Sequence, residues 1–138
     1  MSVRSQQQVV FKEFITTYFT MLGFMENYVN KENKDFKRFI KKNLLLKKAN
    51  VKIFIKKWYE VITVPYYAKI VDGDIHFFLT KDYSDDIAQS GNVDMLSTCI
   101  RHMKIMYHSM DESIVSEFIQ YIIKCTQLSQ LYYNLKSN

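Results

Sequence analysis

The sequence predicts an all-α fold, a single compact domain of five to six helices that spans residues 1–138 and ends in an antiparallel helical hairpin. Nearly half the residues are apolar (48%) and 15% are aromatic, which is typical of a globular core. The chain has only three glycines and one proline, well below the usual frequencies of about 7% and 5%. It therefore has few residues for the tight turns that a β-sandwich or a Rossmann-type fold needs. Apolar residues also recur at three- and four-residue steps.

The first helix is expected over residues 6–29, because one apolar stripe follows helical spacing from Val10 to Val29, although Gly23 interrupts it. The polar stretch NKENK then separates it from a second helix over residues 34–46. The buried side of this second helix is expected to consist of four apolar residues: Phe36, Phe39, Ile40 and Leu44.

A third helix is expected over residues 51–63, although the alternation in VKIFI also fits a short strand. Pro65 is expected to end this helix, because the residue before a proline is pushed out of the helical region. A small irregular or β element is a possibility near residues 65–80, with a turn at Asp72 and Gly73.

The terminal hairpin is expected from two periodic segments with a very short joint between them. Asp94 is the expected cap of a helix that runs to about Met110, and Asp111 the expected cap of the last helix, which runs to about residue 136. Cys99 and Cys125 lie at nearly equal distances along the chain from the joint. They are expected to face each other, and the sequence leaves open whether they are thiols or a disulfide.

Charge is distributed unevenly along the chain, whose net charge is +5. Residues 31–57 contain eleven lysines or arginines against two acids, a net charge of +9, whereas residues 58–138 carry −4. Ten of the eleven cations are lysines, which act as point charges and suit non-specific contact with anions better than sequence readout.

The candidate binding residues are the cations spaced along the polar side of the second and third helices. They are Lys34, Lys37, Arg38, Lys41, Lys42, Lys52 and Lys56. Three interpretations remain open: a solvated surface, a contact for an acidic protein surface, and a contact for nucleic-acid phosphates. We expect a non-catalytic structural or interaction protein that docks an acidic partner, with non-specific nucleic-acid binding as the alternative. Head-to-tail self-association into an oligomer also fits the charge asymmetry.

No enzyme is expected, because the chain has no G-x-S-x-G, P-loop or H-E-x-x-H motif. No metal site or cofactor is expected either. The aspartates between Asp72 and Asp86 do not fit the EF-hand pattern, and they and His76 are the remaining place for an unrecognised site. No apolar run approaches 18 residues and no secretory signal begins the chain, so we expect no membrane span and an intracellular location.

A resemblance lies in KKWYEVITVPYYAKIVDGDIHFFLTKDYSDDI, residues 56–87. This stretch combines a Trp-Tyr helix, a proline-tyrosine stop and an aromatic–Lys-Asp-Tyr segment. It resembles small uncharacterised helical proteins of large nucleocytoplasmic DNA viruses. The resemblance covers less than a quarter of the chain and transfers no site residues. It implies a component of the virion or of the virus factory.

Overall fold

The structure is a computed structural model that describes residues 2–29, 31–73, 101–105, 108 and 111–137. The described part of the chain is helical and contains no strand, which confirms the all-α class. Residues 101–105 and 108 are also helical. The main elements are α1 (Val3–Glu26), α2 (Lys34–Ala49), α3 (Ile53–Trp58), a π-helical turn (Tyr59–Thr63), α4 (Val64–Val71) and α5 (Glu112–Ser137).

Helices α1 and α5 pack antiparallel at the centre of the molecule. The start of α1 meets the end of α5, where the ring centroids of Phe11 and Tyr132 are 6.1 Å apart. The end of α1 meets the start of α5, where Phe24 and Phe118 stack at 6.3 Å. Helix α1 begins at Val3, earlier than expected, because the Ser2 hydroxyl accepts a hydrogen bond from the Ser5 amide and caps the helix.

The expectation that Pro65 ends the third helix is wrong. The chain stays helical from Ile53 to Val71, with a π-helical turn before the proline. In this turn the amide of Val64 bonds to the carbonyl of Tyr59, five residues back. Pro65 then lies in the first turn of α4, where a missing amide proton is tolerated. The π turn thus lets one helical path accommodate the proline.

Helix also replaces the two strand-like possibilities of the sequence. The VKIFI stretch lies in the turn before α3 and in α3 itself, and residues 65–71 belong to α4 rather than to an irregular or β element. The expected turn at Asp72 and Gly73 is present, and Gly73 adopts a positive φ of 90°. The rest of the segment near residues 65–80 lies outside the described residues.

Buried hydroxyl groups tie the α3 and π-turn segment to α5. The Trp58 indole donates to Thr126 Oγ1 at 3.1 Å, and Thr126 donates in turn to the carbonyl of Ile122. One turn of α5 further on, the hydroxyls of Thr63 and Ser129 lie 2.6 Å apart. Because an unpaired buried polar group is unfavourable, these bonds fix the register of the segment on α5.

The terminal hairpin is described only in part. Asp111 caps α5 as expected, since its Oδ1 accepts hydrogen bonds from the amides of Ser113 and Ile114 at 3.1 and 3.2 Å. Of the preceding helix, His102 and Met103 are buried. Asp94, Cys99 and most of the residues expected in that helix lie outside the described residues, whereas Cys125 is fully buried in α5.

Helix α2 buries three side chains, Phe36, Phe39 and Asn43, and Ile40 and Leu46 pack in part against the core. Tyr18 Oη donates to Asn43 Oδ1 at 2.7 Å, and Asn43 Nδ2 donates to the carbonyl of Phe39 at 2.7 Å. The expected burial of Leu44 is wrong, since that side chain is 50% exposed. The hydrogen-bonded asparagine takes the inward position that the apolar pattern assigned to the leucine.

Candidate functional site

All seven cations singled out by the sequence are exposed, and we call them together the basic face. Five of them lie on α2, Lys52 lies in the turn between α2 and α3, and Lys56 lies on α3. Those on α2 recur at three- and four-residue steps, so they share the side of the helix turned away from Phe36 and Phe39.

Two leucines are exposed within this cationic region. Leu44 is 50% exposed and Leu45 is 60% exposed. Lysines precede and follow them, at positions 41, 42, 47 and 48. The run of three leucines at residues 44–46 could have indicated this, because successive helical residues point about 100° apart and cannot all face the core.

Among the described residues, ion pairing on the basic face occurs at one end only. Asp35 forms a salt bridge with Arg38 and lies 3.8 Å from Arg101. The hydrogen bond from Arg38, followed by its charge, lowers the pKa of the Asp35 carboxyl. The six lysines of the basic face form no ion pair with any residue that the structure describes. They therefore present unneutralised charge to solvent.

A second cluster of cations lines a groove of about 570 Å³ beside the antiparallel ends of α1 and α5. We call it the terminal groove. Its lining consists of Arg4, Gln7, Gln8, Phe11, Lys12, Lys52, Tyr132 and Lys136. No aspartate or glutamate is among the lining residues.

Of the cations that line the terminal groove, only Lys52 was among the candidate binding residues predicted from the sequence. Arg4 and Lys12 belong to the first thirty residues, whose charges balance, and Lys136 belongs to the acidic remainder of the chain. The antiparallel packing of α1 on α5 brings them to one place, as the contact of Phe11 with Tyr132 indicates. A charge count along the sequence cannot detect a cluster that forms only on folding.

A further groove, of about 500 Å³, lies where the end of α1 meets the start of α2. Lys31 and Lys37 line it together with Glu26, which offsets part of their charge. Lys37 and Lys52 thus line different grooves. In the described part of the chain, the basic face is thus a helix surface with a groove at either end.

The described residues contain no group of three histidine, cysteine, aspartate or glutamate side chains that could hold a metal ion. His76 and the aspartates beyond Asp72 in the acidic stretch lie outside the described residues. His102 is buried, with its ring 4.8 Å from that of Phe36, and its Nε2 has no hydrogen-bond partner among the residues that the structure describes. Burial and the charge of Arg101 lower the pKa of this imidazole.

Among the helices that the structure describes, none has the length and apolar character needed to cross a lipid bilayer. No protein-family model, no curated protein and no solved structure matches this chain. The basic face and the terminal groove are the two candidate binding surfaces of the described residues.

Proposed function

We propose that the protein is a non-catalytic interaction protein that docks an acidic partner protein through the basic face. The observation that carries this proposal is the exposure of Leu44 and Leu45 between flanking lysines on α2. An apolar centre inside a charged rim is the usual arrangement of a protein–protein interface. A purely solvated helix surface does not need two neighbouring exposed leucines among its lysines.

The chemistry of the basic face defines the partner. Six lysines without an ion pair in the described chain favour a surface rich in aspartate and glutamate. The leucine pair favours an apolar strip within that acidic surface. An amphipathic helix with acidic flanks has both features and can lie along α2.

The division of α2 into two sides also supports the proposal. Phe36, Phe39 and Asn43 are buried, and Ile40 and Leu46 pack in part against the core. The opposite side of the helix is exposed and can be selected for binding. The lysine content favours a docking contact with modest geometric demands, because an ammonium group is a compact and flexible point charge.

The experiment measures binding of a labelled synthetic helix of about 20 residues, with leucines on one face and glutamates elsewhere, by fluorescence anisotropy. We expect binding that weakens as salt rises and that is lost in two double variants, Leu44→Gln/Leu45→Gln and Lys41→Gln/Lys42→Gln. A peptide of identical composition with scrambled leucines is the matched control and should bind more weakly. Equal binding by the wild type and the leucine variant would overturn the proposal.

The alternative, non-specific nucleic-acid binding through the same lysines, is separated by a second arm with a generic DNA duplex. Phosphates need the lysines but not the leucines. Duplex binding that is steeply salt-dependent, that the Lys41→Gln/Lys42→Gln variant loses and that the leucine variant retains would favour this alternative, provided that the acidic helix does not bind.

The acidic partner could be a second copy of the chain, since residues 58–138 carry a net charge of −4. Light scattering at low and moderate salt tests this arrangement, in which a discrete oligomer would dissociate as salt rises.

We extend the proposal to an assembly role in a virus particle or in the infected cytoplasm on the resemblance of residues 56–87 alone.

A further inference from the structure

We infer that the terminal groove binds a small ligand with clustered phosphate groups, at a site separate from the outer surface of α2. Four cations line the groove: Arg4, Lys12, Lys52 and Lys136. The groove volume of about 570 Å³ suits a compact ligand of this kind. It is too small to accept a folded protein surface.

The gathering of four cations around one groove that no aspartate or glutamate lines is the observation that supports this inference. None of the four groove cations forms an ion pair with a residue that the structure describes. Like charges gathered in a concave surface repel one another and concentrate a positive field there. A bound polyanion removes that repulsion.

The remaining lining residues fit a phosphate ligand. Gln7 and Gln8 add amide donors from the first turns of α1, whose N-terminal end carries the positive end of the helix dipole. Phe11 and Tyr132 form an apolar wall, on which a base or another flat group can rest. Arg4 can hold a phosphate with two parallel hydrogen bonds, while the lysines supply point charges.

Multiple cations favour a ligand with several phosphates over a single carboxylate. One carboxylate would neutralise one of the four charges, whereas a triphosphate chain can contact most of them. Nucleoside triphosphates and inorganic polyphosphates share this chemistry. A nucleoside triphosphate can also rest its base on the apolar wall of Phe11 and Tyr132, whereas an inorganic polyphosphate has no group that would use this wall.

The test is isothermal titration calorimetry of the full chain with inorganic tripolyphosphate at low ionic strength. We expect one binding site per chain. The double variant Arg4→Gln/Lys136→Gln should weaken binding by about tenfold or more, since a hydrogen bond to a charged group is among the stronger polar contacts. The matched control is Lys41→Gln/Lys42→Gln, which removes the same charge from α2 and should retain the wild-type affinity.

A parallel titration with ATP separates the two ligand sources. Tighter binding of ATP than of tripolyphosphate supports a nucleotide ligand, and equal binding supports a free polyphosphate. Absence of tripolyphosphate and ATP binding at millimolar concentration would overturn the inference, as would equal losses in the two double variants. Binding of an oligonucleotide without binding of tripolyphosphate or ATP would also overturn the inference. Binding of the acidic helix requires Leu44 and Leu45, whereas binding of the phosphate ligand does not. Either proposal can therefore fail without the other.

Discussion

Helices α2 and α5 are both long and amphipathic, yet they serve the fold very differently. Helix α5 packs against α1, the π turn and α4, and its buried Thr126 and Ser129 bond to Trp58 and Thr63. Helix α2 contributes three buried side chains and exposes two leucines among lysines. Among the described residues, α5 therefore joins several elements of the core, whereas α2 has one buried side and one exposed side.

The largest expected effect on stability is at the contact between Trp58 and α5. Trp58→Ala should lower the free energy of unfolding by about 3–5 kcal/mol, because it opens a large cavity and leaves Thr126 without its indole donor. Urea unfolding followed by circular dichroism measures the change. The matched control is Val64→Ala in the same helical path, where the side chain is exposed and the change should stay within about 0.5 kcal/mol. Equal effects of the two substitutions would contradict the assignment of the core.

A smaller loss is expected where α2 meets α1. Tyr18→Phe removes the hydroxyl that donates to buried Asn43 Oδ1, which should lower the free energy of unfolding by about 1–3 kcal/mol. Tyr28→Phe, at an exposed ring on the turn after α1, serves as the control and should leave stability unchanged. If Tyr18→Phe were neutral, the hydrogen bond would contribute nothing to holding α2.

The contact between α2 and His102 should make stability depend on pH. The folded pKa of His102 lies below the ordinary value of 6.5 because the ring is buried. Below that ordinary value the unfolded chain takes up a proton that the folded chain does not, so stability falls from about pH 6.5 down to the lower folded pKa. Above this window the contribution of His102 to the pH dependence vanishes.

Unfolding midpoints of the wild type and His102→Leu between pH 5 and 8 measure this effect. The variant should lose most of the decline between pH 6.5 and 5, because leucine cannot titrate at the site beside Phe36. If the stability of His102→Leu fell by the same amount over this pH range, the fall would have to come from other titratable groups.

The smallest expected effect on stability is at the outer surface of α2. Leu44→Gln/Leu45→Gln keeps helix propensity and should change the free energy of unfolding by about 0.5 kcal/mol or less. By contrast, Leu22→Gln at a buried position should destabilise the protein strongly, since it buries an amide without a partner. A large loss in the α2 variant would mean that the two leucines belong to the core.

Much of the fold could be predicted from the sequence because helical periodicity and caps are local signals. The stripe of α1, the Asp111 cap and the inward positions of Phe36 and Phe39 follow from spacing alone. The continuation of the helix through Pro65 could not be predicted, because it depends on a π turn held against α5. Helix propensity considers the proline only with its neighbours in sequence. The position of Pro65 in the helix is instead determined by the packing of the π turn against α5.

The candidate site was predictable in part for the same reason. The lysines of α2 are visible as a run of charge, and their exposure agrees with the pattern. The exposure of Leu44 depends on Asn43, whose burial requires Tyr18, twenty-five residues away in the chain. The terminal groove combines residues from both ends of the chain, so it emerges only when α1 and α5 pack.

Native-state hydrogen exchange of the backbone amides tests the central comparison most directly. We expect α2 to open locally, with clearly lower protection than the α1–α5 pair, because α2 buries three side chains whereas α1 buries eight. Addition of the acidic amphipathic helix should raise the protection of α2 and leave α5 unchanged. Protection in α2 equal to that of α5, and unaffected by the acidic helix, would contradict the account.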